Sequence, residues 1–288
     1  MNVKELGKTG VMLPEIGIGT LAYSGGAESL RKAFDIGMPF VDTAEIYETE
    51  AIVGEAIAGV RDRVFVATKV AADHFERAEV HRAADRSLKL LRTDRIDLYQ
   101  LHWPNPRVPV EETIGAMEEL VDSGKVRFIG VSNFNTTLLK RALAAARKHP
   151  IVSNQVSYSI IDRNIETELL PFCQSKGMTV IAYSPLGRRF QSVAERDPER
   201  VVERVAAAVQ KTPAQVVLNW CVSRPNVVAI VKTDSPARME ENCGASGWRL
   251  TAEQIAMLDR VRFDRKSLAA LRLSRATRGI LRKLRLRA

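Results

Sequence analysis

Three apolar runs early in the chain decide the fold: MPFVDTA (38–44), RVFVATKV (63–70) and RIDLYQLH (95–102). Each run is almost continuously apolar, as expected of a parallel strand that is buried on both faces. A helical pattern, RAEVHRAADRSLKLL (77–91), fills the interval between the second run and the third. Strand, helix and strand in this order predict parallel strands joined by crossover helices.

The same alternation continues on both sides of this region. Further strand patterns are EIGIGT (15–20), VRFIGVS (126–132), VSNQVSY (152–158), MTVIAYS (178–184) and NVVAIVK (226–232). Further helical patterns are AESLRKAFDIG (27–37), VEETIGAMEELVDSG (110–124) and TTLLKRALAAARKH (136–149). Eight strands alternating with helices predict the α/β class and a (β/α)8 TIM barrel, which suits a chain of 288 residues.

A doubly wound sheet and a division into two small domains are the alternatives. The sheet is disfavoured because the GxGxxG phosphate-binding fingerprint is absent: Gly17 and Gly19 are followed by Ala22 at the third position. No linker rich in Ser, Gly or Pro divides the chain, and the polar segment Arg188–Pro198 is short enough to be a βα loop. We therefore predict one barrel domain over residues 1–262 and a basic tail over 263–288, helical or disordered.

Additional elements are expected at the two ends of the barrel. The turn signal Gly7-Lys8-Thr9-Gly10 predicts an N-terminal β-hairpin. Extra helices are predicted around Pro213–Arg224 and Ala252–Arg262. In the first of them, Trp220 is expected to be part of the core. The pair Glu118–Glu119 is expected on a solvated helix face.

Composition places the chain among ordinary globular proteins, with 45% hydrophobic and 27% charged residues. The first residues lack the apolar core of a signal peptide, and no apolar stretch is long enough to span a bilayer. Three widely spaced cysteines give neither a disulfide framework nor metal-ligand spacing. We expect buried thiols at Cys173 and Cys221 and a reducing cytoplasm.

The basic charge is concentrated in the tail. Residues 262–288 contain ten Lys or Arg and one acid, Asp264, which leaves 33 residues of each sign in the preceding part. From Ser267 onward, leucine and isoleucine recur at near-helical intervals among arginines. A basic amphipathic helix for a membrane surface or an acidic partner is one interpretation, and a frayed or packed terminus is the other. Nucleic acid is not expected as a partner, because this stretch has no aromatic stacking residues.

Four polar side chains lie at or just after the ends of three predicted strands: Asp42, Tyr47, Lys69 and His102. In a (β/α)8 barrel the carboxyl ends of the strands form one rim, where function gathers. Asp42 taken alone could simply cap the following helix, and His102 alone could be a structural histidine. Their joint placement on one rim favours a single site.

These four residue types suit proton transfer to a carbonyl oxygen. A tyrosine has an ordinary pKa of about 10 and keeps its proton at neutral pH. A neighbouring Lys69 is expected to lower the pKa of Tyr47, with Asp42 holding the lysine protonated. His102 is expected to donate a hydrogen bond to the carbonyl oxygen of a substrate. His74, His81 and His149 form no ligand set, so no metal is predicted.

The chain resembles the aldo-keto reductase family over roughly residues 3–261. The matching motifs, in order, are GIGT, DTAEIY, ATK, LHWP, GKVRFIGVSNF, NQVSYS, AYSPLG, TPAQVVLNW and AIVKTDSPARMEEN. The resemblance implies an oxidoreductase that binds a nicotinamide cofactor across the barrel mouth. It also implies Tyr47 as proton donor, with Asp42, Lys69 and His102 completing a tetrad.

The resemblance further implies a set of cofactor-binding residues. They are Ser132, Asn133 and Gln155 at the carboxamide, Tyr183 stacked on the nicotinamide ring, Ser184, Leu186 and Gly187 along the pyrophosphate, Lys232, Thr233 and Arg238 at the 2′-phosphate, and Glu241 and Asn242 near the adenine. Gly19 and Thr20 are also predicted to bind the cofactor. Arg188 and Arg189 are either phosphate contacts or surface charges. The two cations Lys232 and Arg238 favour NADPH. Asp234 opposes that preference by its charge, so NADH use is also possible.

Substrate selection is expected to depend on Ala22, Tyr23 and Trp103, with Ala22 where a bulky aromatic is common in the family. The segment between Tyr47 and Gly54 is short. The function predicted is reduction of an aldehyde, ketone or sugar carbonyl by a monomer or dimer. The alternative is a non-catalytic nicotinamide-binding subunit that senses redox state and uses the basic tail for partner contact.

Overall fold

The computed structural model of the protein describes residues 1–187, 193, 196–197 and 199–261. Most of the predicted loop Arg188–Pro198, with Arg188 and Arg189, and the tail over 263–288 lie outside the described residues. Eight parallel strands form a closed barrel: β3 (Ile16–Gly19), β4 (Phe40–Asp42), β5 (Phe65–Val70), β6 (Ile96–Leu101), β7 (Val126–Ser132), β8 (Ile151–Ser157), β9 (Thr179–Tyr183) and β10 (Val227–Val231).

The barrel closes because the last strand pairs with the first. Ala229 of β10 lies opposite Ile16 of β3, and the remaining strands pair in chain order around the ring. The predicted (β/α)8 barrel is therefore confirmed, and the open doubly wound sheet is wrong. The register pairs Asp42 with Ala67 and Lys69 with Gln100, which brings polar side chains of neighbouring strands to the same end.

Helices surround the ring on the outside. Their bounds are α1 (Gly26–Asp35), α2 (Glu50–Ile57), α3 (Arg77–Leu91), α4 (Val110–Asp122), α5 (Thr136–Ala145), α6 (Leu169–Lys176), α7 (Val201–Val209), α8 (Pro213–Val222), α9 (Pro236–Cys243) and α10 (Ala252–Arg260). Helices α8 and α10 are the extra ones predicted from sequence. Each begins with a capping box, at Thr212 with Gln215 and at Thr251 with Gln254.

One helix ends earlier than its sequence pattern predicts, and the cause is a distant carboxylate. The pattern continues to residue 149, whereas α5 ends at Ala145. The backbone N–H groups of residues 147, 148 and 149 donate to Oε1 of Glu118 at 2.8, 2.6 and 2.9 Å. The prediction of a solvated Glu118 is thus wrong, since its side chain is buried and binds the chain that leaves α5.

A hairpin closes the N-terminal end of the barrel, as predicted. Strands β1 (Val3–Glu5) and β2 (Met12–Pro14) pair antiparallel. Leu6 and Leu13 are fully buried and pack in one cluster with Phe40, Leu98 and other inward side chains of the barrel. The turn needs glycine at Gly7, where φ is +59° and a Cβ would lie 3.1 Å from the side chain of Val152.

The outer core lies between the ring of strands and the helices. Trp220 is fully buried in it, as predicted, and its indole N–H donates to Oδ1 of Asp259 at 2.7 Å. Cys173 and Cys221 are buried free thiols, also as predicted. Among the described helices, none is long and apolar enough to cross a membrane.

Candidate active site

The four predicted catalytic side chains meet at the C-terminal mouth of the barrel. Asp42 is the last residue of β4, and the 3₁₀ helix Glu45–Tyr47 follows it. Lys69 is the penultimate residue of β5, and His102 directly follows β6. The three strands are neighbours in the ring, so residues that are 27 to 60 positions apart share one site.

Asp42 and Lys69 form a buried ion pair. Lys69 Nζ donates to Oδ1 of Asp42 at 2.5 Å and to the carbonyl oxygen of Thr43 at 2.7 Å. The other oxygen of Asp42 accepts from Gln155 Nε2 at 2.7 Å and from Gln100 Nε2 at 3.2 Å. Buried charges need hydrogen-bond partners of this kind. The alternative role considered for Asp42, a cap of the following helix, is not observed, because its carboxylate does not cap a helix.

Tyr47 contacts two other predicted catalytic residues, His102 and Lys69. Its Oη lies 3.2 Å from His102 Nε2, and Lys69 Nζ lies 4.8 Å from the centre of its ring. Burial raises the pKa of Tyr47 above its ordinary value, and the charge of Asp42 raises it further. The net direction is therefore opposite to the lowering expected from Lys69, because burial and the charge of Asp42 dominate, and the phenol remains protonated.

His102 is a neutral imidazole in this environment. Burial, followed by the nearby charge of Lys69, lowers its pKa to about 3. Its Nδ1 is buried and has no hydrogen-bond partner among the described residues. A buried N–H without a partner is rarer than a buried acceptor without one. The proton is therefore placed on Nε2, the nitrogen that faces Tyr47.

A chain of threonine hydroxyls fixes the turn that carries Tyr47. Thr49 Oγ1 lies 2.8 Å from Oγ1 of both Thr43 and Thr20, and Thr20 Oγ1 donates to the carbonyl oxygen of Asp42 at 3.1 Å. One proton on each hydroxyl satisfies these contacts if Thr43 donates to Thr49 and Thr49 donates to Thr20. Thr20, predicted as cofactor-binding, is buried, and its hydroxyl is engaged with Asp42 and Thr49.

The polar residues predicted near the nicotinamide form a second network beside the tetrad. Asn133 donates through Nδ2 to the carbonyl oxygen of His102 and to Ser132 Oγ, each at 3.0 Å, and its Oδ1 accepts from Tyr183 Oη at 2.9 Å. Asn133 has φ +64°, a conformation that asparagine tolerates better than most side chains. Both protons of Gln155 Nε2 are used on Asp42 and Gln100. Gln155 can therefore meet a ligand only through Oε1.

The predicted pyrophosphate path follows β9. Ser184 has φ +54° and Gly187 has φ +68°, and the backbone N–H of Gly187 donates to the carbonyl oxygen of Ser184 at 2.8 Å. A Cβ on Gly187 would lie 2.4 Å from Ile161, so glycine is required there. Leu186 is half-buried between them. Gly19 ends β3 at the same mouth.

The predicted adenosine end follows β10. Lys232 and Arg238 are exposed, and Lys232 forms an ion pair with Asp234. Thr233 is buried, with its Oγ1 accepting from the backbone N–H of Ser235 at 3.2 Å. On α9, the side chain of Glu241 is half-buried and that of Asn242 is buried. Two exposed cations beside a hydroxyl suit a phosphate group.

The predicted substrate residues differ in exposure. Trp103 is 47% exposed and stacks on His102, with ring centres 6.4 Å apart. Ala22 is exposed, whereas Tyr23 is only 7% exposed and belongs to the outer core. Two exposed apolar side chains that we did not predict, Leu21 and Ile46, follow β3 and β4 at the same rim.

Gln100 and Thr49 also belong to this site, although they were not predicted from the sequence. Gln100 is a polar residue inside the otherwise apolar strand RIDLYQLH, and that exception is a usable signal because a buried amide needs a partner. Thr49 carries no such signal, since its partners Thr20 and Thr43 follow two different strands. Among the described residues, no group of three or more His, Cys, Asp or Glu side chains could hold a metal ion.

Comparison with known proteins gives the family. The sequence profile of the Aldo/keto reductase family matches residues 10–262. The chain belongs to the aldo-keto reductase family. This aldo-keto reductase is 35% identical to methylglyoxal reductase YeaE of Escherichia coli, over 87% of the chain and 91% of that protein. It is 33% identical to aldo-keto reductase YhdN of Bacillus subtilis, over 88% of the chain and 91% of that protein.

Solved structures agree with this assignment. The thermostable aldo-keto reductase Tm1743, crystallised with the inhibitor epalrestat, matches with a TM-score of 0.84 and 38% identity, over 91% of this chain and all of that one. An aldo-keto reductase of Klebsiella pneumoniae, crystallised with NADPH, matches with a TM-score of 0.80 and 37% identity, over 88% of this chain and 93% of that one. The chain is therefore an oxidoreductase enzyme, which favours the catalytic hypothesis over the redox-sensing subunit.

Proposed function

We propose that this aldo-keto reductase reduces an aldehyde or ketone with NADPH and that Tyr47 donates the proton. The observation that carries the proposal is the 3.2 Å contact between Tyr47 Oη and His102 Nε2 beside the buried Lys69–Asp42 pair. Two donors this close can both bind one carbonyl oxygen, since each needs about 2.7–3.0 Å. The Klebsiella relative crystallised with NADPH and the methylglyoxal reductase of Escherichia coli support the cofactor and the reaction class.

Each member of the tetrad has one task in this reaction. Bound NADPH would supply the hydride to the carbonyl carbon. His102 donates from Nε2 and orients the carbonyl oxygen, while Tyr47 transfers its phenolic proton to that oxygen as negative charge develops. Lys69 stabilises the tyrosinate that forms, Asp42 keeps Lys69 charged, and Tyr47 then regains a proton from solvent.

The cofactor would be held by the residues that line the mouth from β3 to α9. We propose that Ser132, Asn133 and Gln155, through Oε1, bind its carboxamide, that Tyr183 stacks on its ring, and that Gly19, Thr20, Ser184, Leu186 and Gly187 line its path. Lys232, Thr233 and Arg238 would bind the 2′-phosphate, with Glu241 and Asn242 beside the adenine. The exposed cations Lys232 and Arg238 support a preference for NADPH over NADH.

The apolar rim indicates which carbonyl compounds enter. Leu21, Ile46 and Trp103 are 59%, 47% and 47% exposed around the mouth. Exposed apolar groups at a binding site gain free energy when an apolar ligand covers them. We therefore expect higher kcat/KM for benzaldehyde-type substrates than for an aldose, measured as NADPH oxidation. The reverse order would contradict an apolar substrate class.

Replacement of the tyrosine tests the proton donor. Tyr47→Phe removes the phenolic proton and keeps the ring, so turnover should fall by about 10²–10⁴-fold, the usual contribution of general acid catalysis. NADPH binding, followed by fluorescence titration, should stay within about twofold of wild type because the 2′-phosphate subsite is untouched. Near-normal turnover would reject Tyr47 as the donor.

A further inference from the structure

Asp234 joins two parts of the barrel mouth that are distant in sequence. It lies in the loop between β10 and α9 and pairs through Oδ2 with Lys232. Its other oxygen accepts a hydrogen bond from the backbone N–H of Ser24 at 3.0 Å. Ser24 lies in the loop between β3 and α1. One carboxylate therefore links the proposed 2′-phosphate subsite to the loop that carries Leu21 and Ala22.

The β3–α1 loop has a conformation that needs such support. Ala22 has φ +54°, which an alanine adopts only at a cost in energy. Conformations of this kind persist when surrounding contacts hold them. Within the loop, Tyr23 N–H donates to the carbonyl oxygen of Thr20 at 3.0 Å, and Tyr23 Oη donates to that of Gly26 at 3.1 Å. Asp234 supplies a contact from outside the loop, on the side of the nucleotide.

The two nicotinamide cofactors differ at the group that Asp234 would face. A 2′-phosphate on Lys232 competes for the ammonium group and repels the carboxylate, which favours rotation of Asp234 away from Ser24. A 2′-hydroxyl can instead donate a hydrogen bond to the same carboxylate, which leaves the contact with Ser24 in place.

We propose that Asp234 makes the order of the β3–α1 loop, and with it the affinity for the carbonyl substrate, depend on which cofactor is bound. The proposal rests on the cofactor subsite of the proposed function. NADPH releases Ser24 and loosens the apolar rim at Leu21 and Ala22, whereas NADH keeps both in place. Asp234 is thus a specificity-determining residue for the substrate as well as for the cofactor.

Amide hydrogen exchange at Ser24 tests this without turnover. A mass-spectrometric measurement on the peptide spanning residues 20–25 compares the free protein, the NAD⁺ complex and the NADP⁺ complex at saturation. We expect Ser24 to exchange slowly in the first two and about three- to tenfold faster with NADP⁺, the effect of one lost hydrogen bond. Equal exchange in the two complexes would overturn the proposal.

Two substitutions separate the charge of Asp234 from its hydrogen bond. Asp234→Asn can still accept from Ser24 but no longer repels a phosphate, so slow exchange is expected with either cofactor. Asp234→Ala removes the acceptor, so fast exchange is expected in every state. Glu240→Gln is the matched control, because it removes one exposed negative charge from α9, the helix that follows the Asp234 loop, and Glu240 has no hydrogen bond to Ser24. A Glu240→Gln effect equal to that of Asp234→Asn would reduce the proposal to general electrostatics and overturn it.

Kinetics give the consequence for substrate. In the wild type, KM for an aromatic aldehyde should be about three- to tenfold lower with NADH than with NADPH. This is the change in affinity expected from the free energy of one hydrogen bond. Asp234→Asn should show the lower KM, that of the wild type with NADH, with both cofactors. Asp234→Ala should show the higher KM, that of the wild type with NADPH, with both cofactors. If neither cofactor supports carbonyl reduction, the proposed function fails. If both do so with the same aldehyde KM in all three proteins, this inference alone fails.

Discussion

At the scale of single residues, the site is a charged pair supported by neutral amides. Asp42 accepts hydrogen bonds from Lys69, Gln100 and Gln155, and Lys69 also binds the carbonyl oxygen of Thr43. Removing two charges from water costs several kcal/mol, which their mutual attraction and these additional hydrogen bonds offset. These contacts position the pair, and they place Lys69 Nζ 4.8 Å from the centre of the Tyr47 ring.

The pH dependence of reduction follows from the two groups above this pair. Tyr47 must be protonated, and its raised pKa means that activity persists below that pKa and is lost only as pH rises beyond the ordinary tyrosine range. His102 must be neutral, and with a pKa of about 3 it loses this state only in strong acid. We expect the rate of the chemical step with NADPH to stay flat from about pH 6 to about pH 9, a window that contains the ordinary histidine pKa of about 6.5.

Stopped-flow measurement of the chemical step over that range checks this expectation. A loss of activity at low pH with an apparent pKa near about 6.5, the ordinary histidine value, would mean that His102 is not held neutral. As a control, the loss of NADPH in each buffer is measured without enzyme.

At the scale of elements, Glu118 defines where α5 ends. One carboxylate oxygen accepts three backbone N–H groups of residues 147–149, although the side chain belongs to α4. Burial alone would raise the pKa of Glu118, but these three donors hold it below the ordinary value. Its contribution to stability is therefore present above the ordinary glutamate range and is lost as pH falls through the lowered pKa.

Replacement of Glu118 should destabilise the barrel. Glu118→Ala leaves three N–H groups without their acceptor, so the free energy of unfolding in urea should fall by about 2–3 kcal/mol. Glu119→Ala is the matched control: Glu119 pairs with Arg77 and His81 at the surface, so its removal should cost less than about 1 kcal/mol. Equal losses in the two variants would contradict the account of α5.

The difference between these neighbours illustrates what sequence could predict. The strands and the tetrad were predictable because periodicity and strand ends are local features, and the family motifs occur in order. Neither the end of α5 nor the burial of Glu118 was predictable, since the contact joins residues about thirty positions apart. The pKa of Tyr47 was predicted in the wrong direction because burial and the charge of Asp42 dominate it, and burial is a property of the fold.

At the scale of the whole molecule, the closing hairpin and the proposed catalytic site lie at opposite ends of the barrel. The hairpin of β1 and β2 closes the N-terminal end with Leu6 and Leu13, and the C-terminal end carries every residue of the tetrad. This separation is typical of (β/α)8 barrels, where loops at the C-terminal face can vary without loss of the core.

A cavity at the closed end should affect stability and spare catalysis. Leu13→Ala removes a fully buried side chain, so the free energy of unfolding should fall by about 2–5 kcal/mol. The kcat of the folded variant, measured well below its melting temperature, should match wild type. A selective loss of kcat would show that the hairpin also controls the mouth.

The most direct test of the central claim is the single-turnover rate of Tyr47→Phe. Enzyme saturated with NADPH is mixed with an aromatic aldehyde, and loss of the nicotinamide absorbance reports hydride transfer. If Tyr47 donates the proton, the rate should fall by about 10²–10⁴-fold relative to wild type while the NADPH dissociation constant is unchanged. A single-turnover rate within a few-fold of wild type would contradict the claim.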